Sequence, residues 1–261
     1  MVGECDAGIA TSVNRFINIT VNGHIGNVLE GGLGDDPPQF IGGICGKVAS
    51  STKTAKSLTY FINCKNYADI FANSNKPANS KIGGITSYIT AYATKMLPAC
   101  SFVNCENHGD IWTKASESSL VTNSGGIGGI LGFSGQEVID SSYIILKDCK
   151  STGKIHLNDE IINGQPTNLS VANLAIGTIA GRLSNISNSD VGNNYVRKDL
   201  RLTRSCPSYL KDPNKSNRNV IGYYDKNDEN CTKNELFKLV SGSACINTDY
   251  TDNVPKVLMP D

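Results

Sequence analysis

Residues 60–70 read YFINCKNYADI, and a close relative returns at 102–111 as FVNCENHGDI. Both belong to a four-residue pattern: a large apolar residue, a variable one, then Asn, Gly, Asp or Thr, then a second apolar residue. It occurs as FINI at 16, IGGI at 41, FINC at 61, IGGI at 82, FVNC at 102, IGGI at 127, LKDC at 146 and IGTI at 176. Asn-type and Gly-type versions alternate strictly, at intervals of 25, 20, 21, 20, 25, 19 and 30 residues. A fixed internal period of this kind marks a repeat architecture and is weighed before any local assignment.

In a plain strand, apolar residues three apart point to opposite faces. A bend at the third residue reverses this, provided that residue enters the left-handed region, which Asn, Asp and Gly tolerate most cheaply. Asn18, Gly43, Asn63, Gly84, Asn104, Gly129 and Asp148 fit such a corner, and Thr178 is the poor member. The second positions, Ile17, Gly42, Ile62, Gly83, Val103, Gly128 and Lys147, are then expected to face outward. After the corner CKNYADI, CENHGDI and CKSTGKI read as a second short strand, with Lys65, Glu106 and Lys150 outward and Ile70, Ile111 and Ile155 inward. Gly23, Ala68, Gly109 and Gly153 share one column, where a close approach or another turn is expected. Polar insertions such as FANSNKPANSK and HLNDEIINGQPTN fall between motifs, where a solenoid accommodates loops.

One motif per coil predicts an all-β, right-handed parallel β-helix of about eight coils, on the order of 35 to 40 Å long at the inter-strand spacing. The hand follows the commonest parallel β-helices. The rival is a β-propeller with blades of 41 to 49 residues. Four blades barely close a propeller, and its hairpins call for Asn-Gly or Asp-Gly turns.

Composition agrees with short strands and many turns. Only 18% of the 261 residues are charged, 26 are Gly, and basic and acidic residues balance at 24 each. No global field is present to recruit nucleic acid or an anionic membrane. There is no apolar run of 18 residues, so membrane insertion is not expected, and the first residues lack the basic and apolar regions of a signal peptide. Met1 stands directly before repeat-like sequence, from which a longer parent protein is expected. Nine cysteines contain no C-x-x-C pair, which weakens zinc-ribbon and thioredoxin-type readings. Five sequons in a chain this rich in Asn, Ser and Thr are chance matches.

The alternation of IGGI(C/L)G with F(I/V)NC-x-N-x-G-x-I resembles the GLUG-like and related glycine-rich β-helix repeats of large microbial surface proteins, bacterial adhesins among them. The resemblance covers about residues 16–181, departing at IGGITS, at Ala68 and at IGTI. It implies a surface or extracellular setting. Residues 1–194 are assigned to the repeats and 195–261 to a C-terminal cap, needed because an open solenoid end offers a strand edge. Within the cap, Thr232 and Glu235 have capping-box spacing, predicting one short helix that ends near Gly242, and NVPKVL reads as a last strand. Cys206, Cys231 and Cys245 lie there, and two of them could form a disulfide in a secreted protein.

Chemistry is sparse. Cys64, Cys105 and Cys149 form a column in which Ile19 also stands, so core packing outweighs metal or thiol chemistry. If coils alternate, their sulfurs lie two spacings apart, roughly 9 to 10 Å. Asp69 and Asp110 share an outward column, and two coil spacings would approach the separation of an inverting glycosidase pair. His24 and Lys154 in the same column read as solvated positions. His24, His108 and His156 fall in three columns and form no cluster. SGGIGGILG misses the dinucleotide fingerprint, no P-loop occurs, and GFSGQ misses the nucleophile elbow. Tyr67, His108, Phe71 and Trp112 form an outward aromatic strip, suited to stacking on sugars or burial in a protein partner, or else covered by a loop.

The expected function is therefore a non-enzymatic cell-surface or extracellular module, a stalk, adhesive surface or assembly unit, with no cofactor and no metal. Its candidate binding face is Tyr67, Asp69, Phe71, His108, Asp110 and Trp112, facing a glycan or a protein, with self-association through coil ends. The alternatives are a polysaccharide-active lyase or hydrolase and a subunit of an extracellular filament.

Overall fold

The computed structural model describes residues 2–7, 11–26, 40–50, 57–72, 81–90, 98–113, 126–134, 144–157, 160–161, 176–183, 190–192, 194–197, 202–203, 219–221, 223–224 and 237–240. Every regular element among them is a strand. One turn of the chain runs through Phe40–Gly42, a glycine corner, Cys45–Ser50, Ser57–Ile62, an asparagine corner, Lys65–Asn66 and Asp69–Ala72. Lys81–Gly83 then begins the next turn, pairing in parallel with Phe40–Gly42. Five columns of strands result, holding four to six strands each, and a separate two-stranded pair lies outside them. This is a parallel β-solenoid.

The register corrects the coil count. Ile82 pairs with Ile41 and Ile127, whereas Phe61 pairs with Phe16 and Phe102. Gly-type and Asn-type motifs therefore occupy opposite sides of the same turn, and eight motifs make four turns rather than eight coils. The longest run of Asn-type strands, Ser12–Ile17 to Asp190–Gly192, counts five and rises roughly 20 Å at about 4.8 Å per step. The 41- to 49-residue interval that suggested a propeller blade is the true turn length.

The Asn corners form as expected. Asn18, Asn63, Asn104 and Asp148 all have φ between 52° and 56°. Their amides continue the stacking, with Asn63 Nδ2 donating to Asn18 Oδ1 at 3.2 Å and Asn104 Nδ2 to Asn63 Oδ1 at 2.8 Å. The Gly corners do not follow this logic. Among the described glycines only Gly23 and Gly26 have positive φ, so Gly43, Gly84 and Gly129 are not left-handed. Steric crowding selects glycine there. A Cβ on Gly43 would meet the backbone oxygen of Gly84 and stand 2.7 Å from Cγ of Asn66, across the solenoid interior. Gly84 faces Gly129 and Asn107 in the same way. The buried Asn66 and Asn107 are bonded to each other at 2.8 Å and to the chain two residues on.

The core is a set of like-on-like ladders. Phe16, Phe61 and Phe102 stack face to face, with centroids 4.8 and 5.1 Å apart, and Leu146 continues the column. Ile44, Ile85, Ile130 and Ile179 line the opposite wall, and Ile25, Ile70, Ile111 and Ile155 the third. Five of the seven second-position residues depart from expectation: Gly42, Gly83 and Gly128 are buried in the tight Gly-type sheet, and two of the Asn-type residues are buried as well. Ile62 and Val103 are buried, so the Asn-type sheet is covered on both faces, the condition under which parallel strands read as continuous apolar runs.

Toward the C-terminal side, Glu160–Ile161 pairs antiparallel with Ile155–Leu157, and Asn219–Ile221 antiparallel with Ala180–Leu183. The expected helix is not found where the chain is described: Phe237–Val240 is a strand, parallel to Asn194–Arg197. Residues 225–236 and 241–261, with NVPKVL, Cys231 and Cys245, lie outside the described residues, as does Cys206.

Candidate functional site

The six candidate residues lie on one face, built from Lys65–Asn66, Glu106–Asn107 and Lys150–Ser151 and, past a turn, Asp69–Ala72, Ile111–Thr113 and Ile155–Leu157. A two-residue alternation sends Tyr67, Asp69 and Phe71 outward while Ala68 and Ile70 are buried. One turn later His108, Asp110 and Trp112 repeat the arrangement. The structure thus brings all six together in two adjacent rows.

Because the turn is 41 residues long here, Asp69 and Asp110 are one spacing apart, not two. That distance, about 5 Å, belongs to a retaining rather than an inverting glycosidase pair. Both carboxylates are nonetheless committed to the backbone. Asp69 Oδ1 accepts from the Asp110 amide at 2.8 Å, and Asp110 Oδ1 from the Lys154 amide at 2.7 Å. Asp110 Oδ2 also lies 3.0 Å from His156 Nε2, and Asp69 Oδ2 is 3.9 Å from His24. Each aspartate pins one turn to the next.

The aromatic residues are stacked on one another. Tyr67 lies over His108 at 4.6 Å and 10°. Trp112 is sandwiched between Phe71, 6.0 Å away, and His156, 3.5 Å away, with all three planes within 12° of each neighbour. Rings stacked along the rod turn their faces to each other and their edges outward. A sugar-stacking platform needs an open face, which Trp112 lacks; Tyr67, 45% exposed, is the most open of the set.

A charged cluster beside this face went unread in the sequence. Glu106, 5% exposed, meets His108 Nε2 at 2.6 Å, Lys150 Nζ at 3.0 Å and Lys65 Nζ at 3.2 Å. His108 Nδ1 is 2.7 Å from Thr152 Oγ1, so an Nε2–H tautomer satisfies both ring nitrogens. Burial would raise the Glu106 carboxyl, but His108, Lys150 and Lys65 outweigh it and hold it at about 2. The signal was the alternation Lys65, Glu106, Lys150 in one column, legible once these positions are known to be adjacent. The histidines are likewise not independent, since each touches a carboxylate.

The thiol ladder is tighter than expected. Cys64, Cys105 and Cys149 occupy successive turns, are buried and free, and donate to carbonyls of the Phe column: Cys64 to Phe16 O at 3.2 Å, Cys105 to Phe61 O at 3.3 Å, Cys149 to Phe102 O at 3.6 Å. Ile19 fills this place only in the first turn. Hydrogen bonding to Cys105 pushes the Cys64 thiol up, and burial does the same to Cys100 and Cys105; such thiols are poor nucleophiles. Cys5 and Cys45 lie with sulfurs 3.8 Å apart, and their hydrogen bond raises Cys45 and lowers Cys5. Among the described residues no three His, Cys, Asp or Glu side chains are grouped to hold a metal. No described helix is long and apolar enough to cross a membrane.

In comparisons with known proteins, the chain matches no family model, no curated protein and no solved structure.

Proposed function

We propose that this chain is a non-enzymatic β-helix module, right-handed, of an extracellular or cell-surface protein, serving as a rigid stalk, adhesive surface or assembly unit. The observation that carries this reading is the use made of Asp69 and Asp110, each holding the backbone amide of the following turn. A carboxylate locked in that way is poorly placed to move a proton or attack a sugar. The stacked rings and the Lys65–Glu106–Lys150 cluster are inter-turn braces of the same kind. The surface setting rests on the resemblance to GLUG-like repeats. Complete burial of Cys64, Cys100, Cys105 and Cys149 is compatible with it, since it shields thiols from oxidant.

The test is a polysaccharide panel scored for cleavage and for binding, run with wild type, Asp110→Ala and Tyr67→Ala. The expected result is no cleavage by any of them, with Asp110→Ala lowering thermal stability. Binding abolished by Tyr67→Ala alone favours the adhesive form of the reading. Cleavage by wild type that Asp110→Ala abolishes while remaining folded overturns it in favour of a polysaccharide-active enzyme.

A further inference from the structure

Three unlike side chains meet once on this face. Glu106 and His108 stand two residues apart, on the same side of their turn. Thr152 is the neighbour of His108 on the next turn, fixed there by its own amide, which donates to Asn107 O at 2.8 Å. The corresponding positions one turn earlier are Lys65 and Tyr67, so the trio is no part of the repeat.

The three are joined in series. Thr152 Oγ1 lies 2.7 Å from His108 Nδ1, and His108 Nε2 lies 2.6 Å from Glu106 Oε2. With its proton on Nε2 the ring donates to the carboxylate, which leaves Nδ1 to accept from the Thr152 hydroxyl. A hydroxyl against a base, with the base oriented by a third group, is the arrangement that activates a nucleophile. Tyr67, stacked on the imidazole at 4.6 Å and 10°, holds the plane of the ring, and Lys65 and Lys150 hold the carboxylate. Exposure rises along the series, from 6% for the Glu106 side chain to 20% for that of His108. Thr152 is half-buried, whereas Ser151 beside it is fully buried. The hydroxyl is therefore within reach of a molecule in solution.

We infer that Thr152 is a covalent attachment site, at which the hydroxyl takes an acyl group from an activated ester, with His108 as general base and Glu106 as the residue that positions it. The proposal rests on the adhesive form of the reading above and makes of it a single capture rather than turnover. Thr152 Oγ1 attacks the ester carbonyl carbon while His108 Nδ1 takes its proton. The bond from that carbon to the departing oxygen then breaks, and the oxygen leaves with the proton from Nδ1. One ester is exchanged for another, the imidazole returns neutral, and no oxidant or reductant is needed. The product is the ester of a secondary alcohol, a far poorer acyl donor than an activated ester, which favours retention.

The probe is p-nitrophenyl acetate, added to the full chain while nitrophenol release is followed and the acetylated residue is located by mass spectrometry. The expected result is a burst of release that stops at one equivalent, with the acetyl group on Thr152. Thr152→Ser should keep the burst and Thr152→Val lose it, while His108→Gln should slow it roughly 100-fold, the contribution of a positioned base; circular dichroism verifies each fold. Glu106→Gln should slow it more than Lys150→Gln, which opens the same cluster but keeps the carboxylate. The urea-unfolded wild type, in which Thr152 is an ordinary hydroxyl, should show no preference for it, a control that needs no variant. Acetylation confined to lysines, an undiminished rate in His108→Gln, or equal slowing by Glu106→Gln and Lys150→Gln overturns the proposal. So does steady release that Thr152→Val abolishes, which assigns an esterase instead of a capture site. The polysaccharide assay reports separately on the reading above, so the two fail distinguishably.

Discussion

Exchanging residues between the two kinds of corner separates two physical explanations for one sequence pattern. At Asn63, φ is 52° and the amide makes one bond up and one bond down the ladder. Replacement by Gly keeps the conformation and removes both bonds, a loss of about 2 kcal/mol at about 1 kcal/mol each. Replacement by Ala adds roughly 1 kcal/mol or more for a β-carbon in the left-handed region. At Gly84 the conformation is ordinary, but a β-carbon would drive into the carbonyl of Gly129 and the amide of Asn107. Overpacking costs about 1 to 3 kcal/mol, and the obstacles here are the backbone of the next turn and a buried amide, neither free to swing away, so Gly84→Asn belongs at the top of that range or above. Urea denaturation followed by circular dichroism should show Asn63→Gly as the smallest loss, with Asn63→Ala and Gly84→Asn both at about 3 kcal/mol or more. In thermal melts a 3 kcal/mol loss corresponds to about 6 to 12 °C for a chain of this size. If Gly84→Asn is within about 1 kcal/mol of wild type, or Asn63→Gly and Asn63→Ala are indistinguishable, the steric account of the one corner or the conformational account of the other is wrong.

Acid should reveal the Glu106 cluster. Its carboxyl is held at about 2 against an ordinary 4.5, so its stabilising contribution is complete above pH 4.5 and disappears as pH falls from there through 2. Glu106→Gln, which leaves the buried Lys150 without that charge, should melt well below wild type at pH 7, by about 3 to 5 kcal/mol, with the gap closing between pH 4.5 and 2; a gap that is constant with pH refutes the assignment. Phe61→Ala should cost about 3 to 5 kcal/mol, whereas Phe61→Leu, which copies Leu146 in the same column, should cost less than about 1.5 kcal/mol; a loss for Leu as large as that for Ala would mean that the ring stack itself, rather than the volume it fills, carries the stabilisation. With six of the nine cysteines buried in the solenoid, no more than three thiols should react with Ellman's reagent in the native state. A larger number reacting before unfolding contradicts that burial.

What was legible in the sequence was the recurrence itself. Apolar residues three apart with Asn between them have few explanations other than a corner, and the four positive φ values at Asn18, Asn63, Asn104 and Asp148 bear this out. The turn length was misread because IGGI and FINC look like variants of one motif, and nothing in either states which of them pairs with the other. Strand pairing across a turn is a non-local property. It follows from which side chains stack well, Phe on Phe and Asn on Asn, rather than from the shape of the four-residue unit. Strict alternation of the two types was the available signal: unlike residues stack poorly, and a column of like residues requires the longer period.

That one error propagated into the candidate site. With turns counted double, Asp69 and Asp110 stood two spacings apart, the cysteines were isolated, and Lys65, Glu106 and Lys150 simply faced outward, whereas Glu106 and Lys150 are in fact buried. At the correct period each column becomes a contact. The carboxylates cap amides, the thiols bridge to carbonyls, and the alternating charges close on one another. The outward residues of this solenoid are thus used much as the inward ones are, to bind each turn to the next. An interaction of that kind has a partner on both sides only in the interior of the rod.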